Sequence, residues 1–453
     1  TMNIVVLGAG QVGSTVASHL AKENYNVTVV DRDAQLLQQI EAQYDIQPVA
    51  GHASHPDVLA RAGVSAADIL IAVTDSDETN IVACQVAYSL FHTPERIARV
   101  RAAAYHNYPD LFRDEAMPIN HLISPEQLVT DHIRQLIIHP GALQVLKLSD
   151  SNLRLVAVKA RYGGALVGQP LSELKQHVRG RDVRVAAIYR RGRPIIPEGK
   201  TVIDEGDEIF LLTEKKNLRQ VLNEMRPQNM SAKRIVLAGG GRLGLRLAQS
   251  LKTSLQVKVV ESNLARSRTI AELLGSQALI IYGDATERSV LVEEQIEKMD
   301  IFCAITNDEE VNILSAMLAK RLGASKVMAL INRPAYVELI KGSPIDIAIS
   351  PQQTTISDVL ARVRGRDVIT VHSLHFGVSE AIEVEVSPSS WVIGQSIKRI
   401  EENRLPSSTI IGALIRDHQT YMDKSTIIRK YDRVIVFIIN KKDLSMVVEL
   451  FKG

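Results

Sequence analysis

Aromatic side chains are scarce in this 453-residue chain, at 4% of the composition, with seven Phe, eleven Tyr and one Trp. A core that cannot draw on them must be aliphatic, as in parallel sheets built from Val, Ile and Leu. Cysteine is scarcer still. Cys84 and Cys303 stand at unrelated positions, so they supply neither a disulfide framework nor a ligand cluster, and a reducing compartment fits them best. The longest apolar runs, such as 69–73 and 434–439, fall far short of the roughly 18 residues that would span a bilayer, so no direct membrane insertion is expected. An excess of charge of either sign is also missing, with 53 Lys and Arg against 51 Asp and Glu. A net charge of +2 and a pI near 8.4 argue against a nucleic-acid partner held by a broad basic surface. No stretch is biased enough in composition to be disordered.

What is present is a duplication. Gly8-Ala9-Gly10-Gln11-Val12-Gly13 and Gly239-Gly240-Gly241-Arg242-Leu243-Gly244 are both GxGxxG loops, each preceded by an apolar run, 4–7 and 235–238. Aligning the glycines also aligns Asp31 with Glu261, Gly51-His52-Ala53-Ser54 with Gly283-Asp284-Ala285-Thr286, Asn80 with Asn312, and Ile123-Ser124-Pro125 with Ile349-Ser350-Pro351. A register kept over so many positions marks an internal repeat.

Within the first repeat, strands are expected at 3–7, 27–30, 47–50, 69–73, 97–101 and 119–123. Helical spacing separates them, as at Val12, Val16, Ala17 and Leu20. Such alternation predicts an α/β, doubly wound, Rossmann-like parallel sheet, and the pattern returns from Arg234 to Ser350. After each such domain the rhythm changes to strands and hairpins, at 153–159, 183–190 and 208–212 with a turn at Gly192-Arg193-Pro194, and again at 382–386, 410–416 and 434–439; helices near 218–225 and 444–451 close the two sets. The expected organisation is therefore a tandem of nucleotide-type and small α+β domains, 1–140, 141–228, 229–366 and 367–453, with a polar linker around 226–233.

A lone GxGxxG is weak, but its context recurs here. The first glycine permits a tight turn, the second lets backbone approach a pyrophosphate, the third lets helix pack on strand, and the helix N-terminus offers amides to phosphate. Asp31 stands where a carboxylate would accept ribose hydroxyls, which favours NAD or an adenosine nucleotide over NADP, although Arg32 beside it is a residue type that holds 2′-phosphates. Glu261 is its counterpart. Thr74-Asp75 and Thr306-Asn307 end the fourth strands, where ligand contact and helix capping are both open readings. Arg99 and Arg101 could reach phosphates in the first repeat, where the second has Leu330 and Asn332. His52 and His55 read as a loop and not a metal pair, since Asp284 and Glu287 replace them. Gly199-Lys200-Thr201 imitates the end of a P-loop but reads as a hairpin turn. The rival to a ligand sensor is a nicotinamide-dependent oxidoreductase; against it, the small domains offer mainly hairpins, arginines and scattered His177, His372 and His375 and no convincing acid–base constellation, so no enzyme is expected.

Taken together, GAGQVG, VVDRD, ILIAVTDSDETN, RIARVR and HLISPEQLV resemble the TrkA family, the regulatory subunits of bacterial Trk potassium-uptake systems built from tandem RCK (regulator of potassium conductance) domains. The resemblance covers the whole chain. It implies RCK N-lobes and C-lobes in the order N1, C1, N2, C2, and binding of NAD or NADH, with ATP or ADP as competing regulatory ligands. It also implies a homotetramer on the cytoplasmic face of the inner membrane, peripheral to a potassium-channel membrane subunit. Residue by residue it carries Gly8, Ala9, Gly10, Gln11, Val12, Asp31, Thr74, Asp75 and Arg99 onto a first ligand site, and Gly239, Gly240, Gly241, Arg242, Leu243, Glu261, Thr306 and Asn307 onto a second. His52 departs from the aspartate usual in the family's GDAT stretch.

Overall fold

The computed structural model describes residues 2–23, 25–139, 141–148, 152–174, 183–225, 232–340, 342–363, 368–374 and 379–453. They form two compact units, Thr1–Val129 with Ser350–Val363, and Thr130–Ile349 with Arg364–Gly453. The domain boundaries expected from the sequence, most of the linker 226–233, and His177 and His375 lie outside the described residues.

In the first unit, β1 (Asn3–Leu7), β2 (Asn26–Asp31), β3 (Gln47–Ala50), β4 (Ile69–Ala72), β5 (Glu95–Arg99) and β6 (His121–Ile123) form one sheet. Its order is β3-β2-β1-β4-β5-β6, parallel throughout. The chain winds outward from β1 in one direction and from β4 in the other, which opens a crevice at their carboxyl ends. Alternation along β1 feeds both faces. Ile4 and Val6 join one apolar layer with Val16 and Leu20, and Val5 and Leu7 join the other with Leu59 and Cys84.

The sequence places the helix Pro351–Val363 in the second nucleotide-type domain, yet it packs on the first sheet's helix Gln11–Lys22. Ile356, Val359, Leu360 and Val363 are buried in the layer that holds Val12, Val16 and Leu20. Their spacing makes one helical stripe, and each such side chain contributes about 2 kcal/mol when removed from water. His121 Nε2 and Asp358 Oδ2, 2.8 Å apart, pin the same helix to β6.

In the second unit, β7 (Ala142–Lys147), β8 (Leu153–Lys159), β9 (Val183–Arg190), β10 (Arg193–Ile195) and β11 (Glu208–Glu214) make an antiparallel sheet, ordered β10-β9-β11-β8-β7. The doubly wound pattern then returns in β12 (Arg234–Ala238), β13 (Gln256–Glu261), β14 (Ala278–Tyr282), β15 (Ile301–Ala304), β16 (Lys326–Leu330) and β17 (Ile347–Ile349), ordered β14-β13-β12-β15-β16-β17. Last come β18 (Val368–Leu374), β19 (Ser379–Glu385), β20 (Thr409–Arg416), β21 (Gln419–Tyr421) and β22 (Arg433–Ile438), ordered β18-β19-β22-β20-β21. The two small sheets thus share one topology, including edge strands β7 and β18, which the sequence pattern did not mark.

The turn expected at Gly192-Arg193-Pro194 lies one residue earlier. Arg191 and Gly192 both take positive φ, 51° and 76°, and Arg193 already begins β10; Asp417 and His418 repeat this turn at 50° and 63°. Two successive positive-φ residues match the twist of flanking hairpin strands. The small sheets pack together, burying Leu155, Ala187, Phe210 and Leu212 with Ala381, Ala413, Ile435 and Phe437 in a single core. The Tyr189 hydroxyl hydrogen-bonds Ser379 Oγ within it.

Candidate functional site

Both glycine loops close in the same way. Gly8 and Gly239 adopt φ of +103° and +120°, and a Cβ on either would stand about 3.1 Å from the backbone leaving the fourth strand, at Val73-Thr74 or Ile305-Thr306. A Cβ on Gly13 or Gly244 would overlap the carbonyl of Gly8 or Gly239. Gly10 and Gly241 have nothing within 4 Å, so space is held open at the helix start, where the first-turn amides lack intrahelical partners. The first and third glycines are thus demanded by close packing, and the second leaves open space at the helix start.

The acidic residues at the tip of the second strands hold the loops. Asp31 Oδ2 accepts from Ala9 N–H at 2.7 Å and Oδ1 from Asp33 N–H at 2.8 Å. Glu261 repeats both bonds, to Gly240 N–H and Asn263 N–H, each at 2.8 Å. A carboxylate has about four lone-pair positions, so acceptor capacity remains for a ribose. The longer glutamate needs room. A Cβ on Gly240 would lie 2.9 Å from Glu261 Oε2 and 2.5 Å from Ile270 Cδ1, which explains why the second loop carries glycine where the first carries Ala9.

Thr74 and Thr306 do not cap the helices that follow. Ser76 accepts from Thr79 N–H and Asp308 from Val311 N–H in that role. The threonines are bound instead by Asn80 and Asn312, both with no exposed surface. Asn80 Oδ1 accepts from Thr74 N–H (3.0 Å) and Thr74 Oγ1 (2.6 Å), and its Nδ2 donates to the carbonyls of Thr74 (3.2 Å) and Arg99 (2.8 Å). Asn312 makes the same four bonds to Thr306 and Leu330. The asparagine repeated at matching positions of the two halves was the signal of this brace. Asp75, Asn307 and Arg32 are exposed beside the crevices.

Arg99 is placed differently from its expected reach toward phosphate. It is 8% exposed, and its guanidinium donates to the carbonyls of Val73 and Thr74, both at 2.8 Å. Burial, and secondarily Arg101, lowers its pKa to about 10 against the pull of Asp77, Asp75 and Glu126. It remains a cation at neutral pH, fixed under the junction on which Gly8 rests. Arg101 follows β5, and its N–H donates to Asp77 Oδ1. In the second repeat Arg266, which sequence reasoning did not single out, donates from Nε to Gly240 O at 2.7 Å.

The remaining motifs are local. His52 accepts or donates at Nδ1 with Ser54 Oγ, 3.1 Å away, and stacks on His55 with ring centroids 4.5 Å apart. Asp284 holds the equivalent turn through Thr286. Gly199-Lys200-Thr201 is a turn closed by Thr201 N–H on Glu198 O. His372 is kept neutral by burial, its pKa lowered to about 4.

Models of the TrkA-N domain match residues 4–125 and 235–351, and a model of the TrkA-C domain matches residues 155–226. The chain is 52% identical over its full length to the Trk system potassium uptake protein TrkA of Halomonas elongata, covering 99% of that protein. It is 47% identical to the Trk system potassium uptake protein TrkA of Vibrio alginolyticus, with the same coverage of both chains. Among solved structures, the GsuK RCK domain superposes with a TM-score of 0.62 at 20% identity over 99% of this chain and 95% of that one. The GsuK channel bound to NAD gives 0.63 at 19% identity over 99% of this chain and 79% of that one.

Proposed function

Because the chain belongs to the TrkA family of Trk potassium-uptake proteins, we propose that it is the nucleotide-sensing subunit that gates a potassium-conducting membrane partner. The observation that carries this reading is the duplicated tie between glycine loop and second-strand carboxylate, Ala9 to Asp31 and Gly240 to Glu261. It leaves helix N-termini for a pyrophosphate and acceptors for a ribose, the two halves of NAD or NADH. ATP or ADP would compete for the same loops through their phosphates. The NAD-bound GsuK channel, whose fold this chain shares, supports that choice of ligand.

Gating requires that a nucleotide bind one conformation of the assembly better than another; equal affinity for both would shift nothing. Among the described residues no helix is long and apolar enough to cross a membrane, so the effect would pass through contact with the partner, from a peripheral position on the cytoplasmic face. Val82 and Leu90 on helix Asp77–Phe91, and Leu314 and Met317 on helix Glu309–Arg321, are exposed apolar residues on which four chains would associate.

The test has two arms. Gly10→Ala and Asp31→Ala should each weaken NADH binding measured by fluorescence titration. Potassium flux through the reconstituted membrane partner should depend on this chain and on which of NADH, ATP or ADP is present. Unchanged binding in both variants refutes the site, and flux indifferent to protein and nucleotide refutes the gating.

A further inference from the structure

The helix Pro351–Val363 brings a polar residue to the first glycine loop. Gln352 Nε2 donates to Gln11 Oε1 at 2.7 Å, and Gln11 is the first residue of helix Gln11–Lys22. The contact is built and not incidental. Gln352 lies one turn before Ile356 on the stripe that continues through Val359, Leu360 and Val363 into the apolar layer, so docking of the helix sets its position. Ser350 Oγ accepts from Gln353 N–H at 3.1 Å and fixes the helix start. The positive ends of two helix dipoles therefore meet beside the open space at Gly10.

We propose that Gln352, supplied by the second repeat, is a positioning residue of the first nucleotide site: by occupying Gln11 Oε1 it turns the NH2 group of Gln11 toward the phosphates. The inference rests on the nucleotide reading above. An unconstrained glutamine side chain presents its carbonyl and NH2 ends alike, and an anion accepts only from the NH2 end. With Oε1 engaged, the end left for a ligand is the donor. Residues remote in sequence thus complete a loop that reads as local in the motif.

The experiment titrates NADH and ADP into the full chain in a Gly241→Ala background, which removes the second loop from the measurement. Gln352→Ala should weaken binding by about threefold to tenfold, the worth of one hydrogen bond. Gln352→Glu should weaken it further, because the new carboxylate attracts the NH2 of Gln11 and leaves its carbonyl facing the phosphates. Gln353→Ala, one residue along and exposed, should leave affinity unchanged. In a Gln11→Ala chain, Gln352→Ala should have no further effect; a loss that persists there would mean that Gln352 acts through helix docking alone, and the proposal falls. Affinity within twofold for both Gln352 variants, while Asp31→Ala weakens binding, also overturns it and leaves the nucleotide reading intact. Binding insensitive to Asp31→Ala and Gly10→Ala would bring down that reading itself.

Discussion

Replacing Asn80 by Ala tests the brace beneath the first site. The change removes four hydrogen bonds, one buried and three part-buried, and leaves two backbone groups, Thr74 N–H and the Arg99 carbonyl, without their partner. Thr74 Oγ1 can fall back on Ser76 O at 3.3 Å, so its loss is partly made good. An unsatisfied buried group costs about 1–3 kcal/mol, and Thr74 is only half-buried, so water can relieve one of the two; the expected local destabilisation is about 3 kcal/mol. At about 1.4 kcal/mol per decade, the Thr74 amide should exchange its hydrogen roughly 100-fold faster. Hydrogen-exchange mass spectrometry on peptides spanning residues 70–80 reads this directly, in a chain too large for one global unfolding transition to be meaningful. Asn312→Ala should do the same to Thr306 and leave the first crevice untouched. Exchange at Thr74 within threefold of the parent would refute the argument that Asn80 holds the crevice wall.

Other outcomes follow from the same geometry. Gly240→Ala should destabilise the second doubly wound domain by about 1–3 kcal/mol through overpacking, and adding Glu261→Asp should recover much of it by recreating the Ala9–Asp31 arrangement; exchange rates on peptides from β12 report both, and a neutral Gly240→Ala would refute the size argument. Stability should also fall as the medium is acidified. His132 and His372 are held at about 4 by burial, while an unfolded histidine titrates near 6.5, so between about pH 6.5 and 4 the unfolded chain takes up protons that the folded one refuses. Hydrogen-exchange protection of peptides around His132 and His372, corrected for the intrinsic pH dependence of exchange, should therefore drop across that window and stay flat above it, and His372→Gln should flatten the slope.

The doubly wound sheets were legible because their strands are aliphatic runs at regular spacing and their loops are glycine-marked; Gly8, Gly13 and Asp31 stand where the motif puts them. The small sheets were half legible. Central strands such as β8, β11 and β22 are strongly apolar, whereas β7 and β18 are edges whose pairing partner cannot be read from their own composition. The destination of helix Pro351–Val363 was not legible at all. Its stripe announces an apolar face, but periodicity says that a face will be covered and not by what, and adjacency in sequence suggested the wrong sheet. Arg99 shows the same limit in a side chain: a cation on a strand end looks like a ligand contact until the carbonyls of Val73 and Thr74 are seen to claim it.

The crossing of that helix also bears on how such a chain could arise. A product of half this length, ending before residue 351, would expose Val12, Val16 and Leu20 to water where Ile356, Val359 and Leu360 now lie. The corresponding helix of a second molecule could cover the same surface. Duplication and fusion would turn that exchange between two ancestral molecules into an exchange within one, and would free the halves to diverge. Asp31 against Glu261 and Arg99 against Leu330 are then the marks of two sites released from symmetry while still sharing a scaffold.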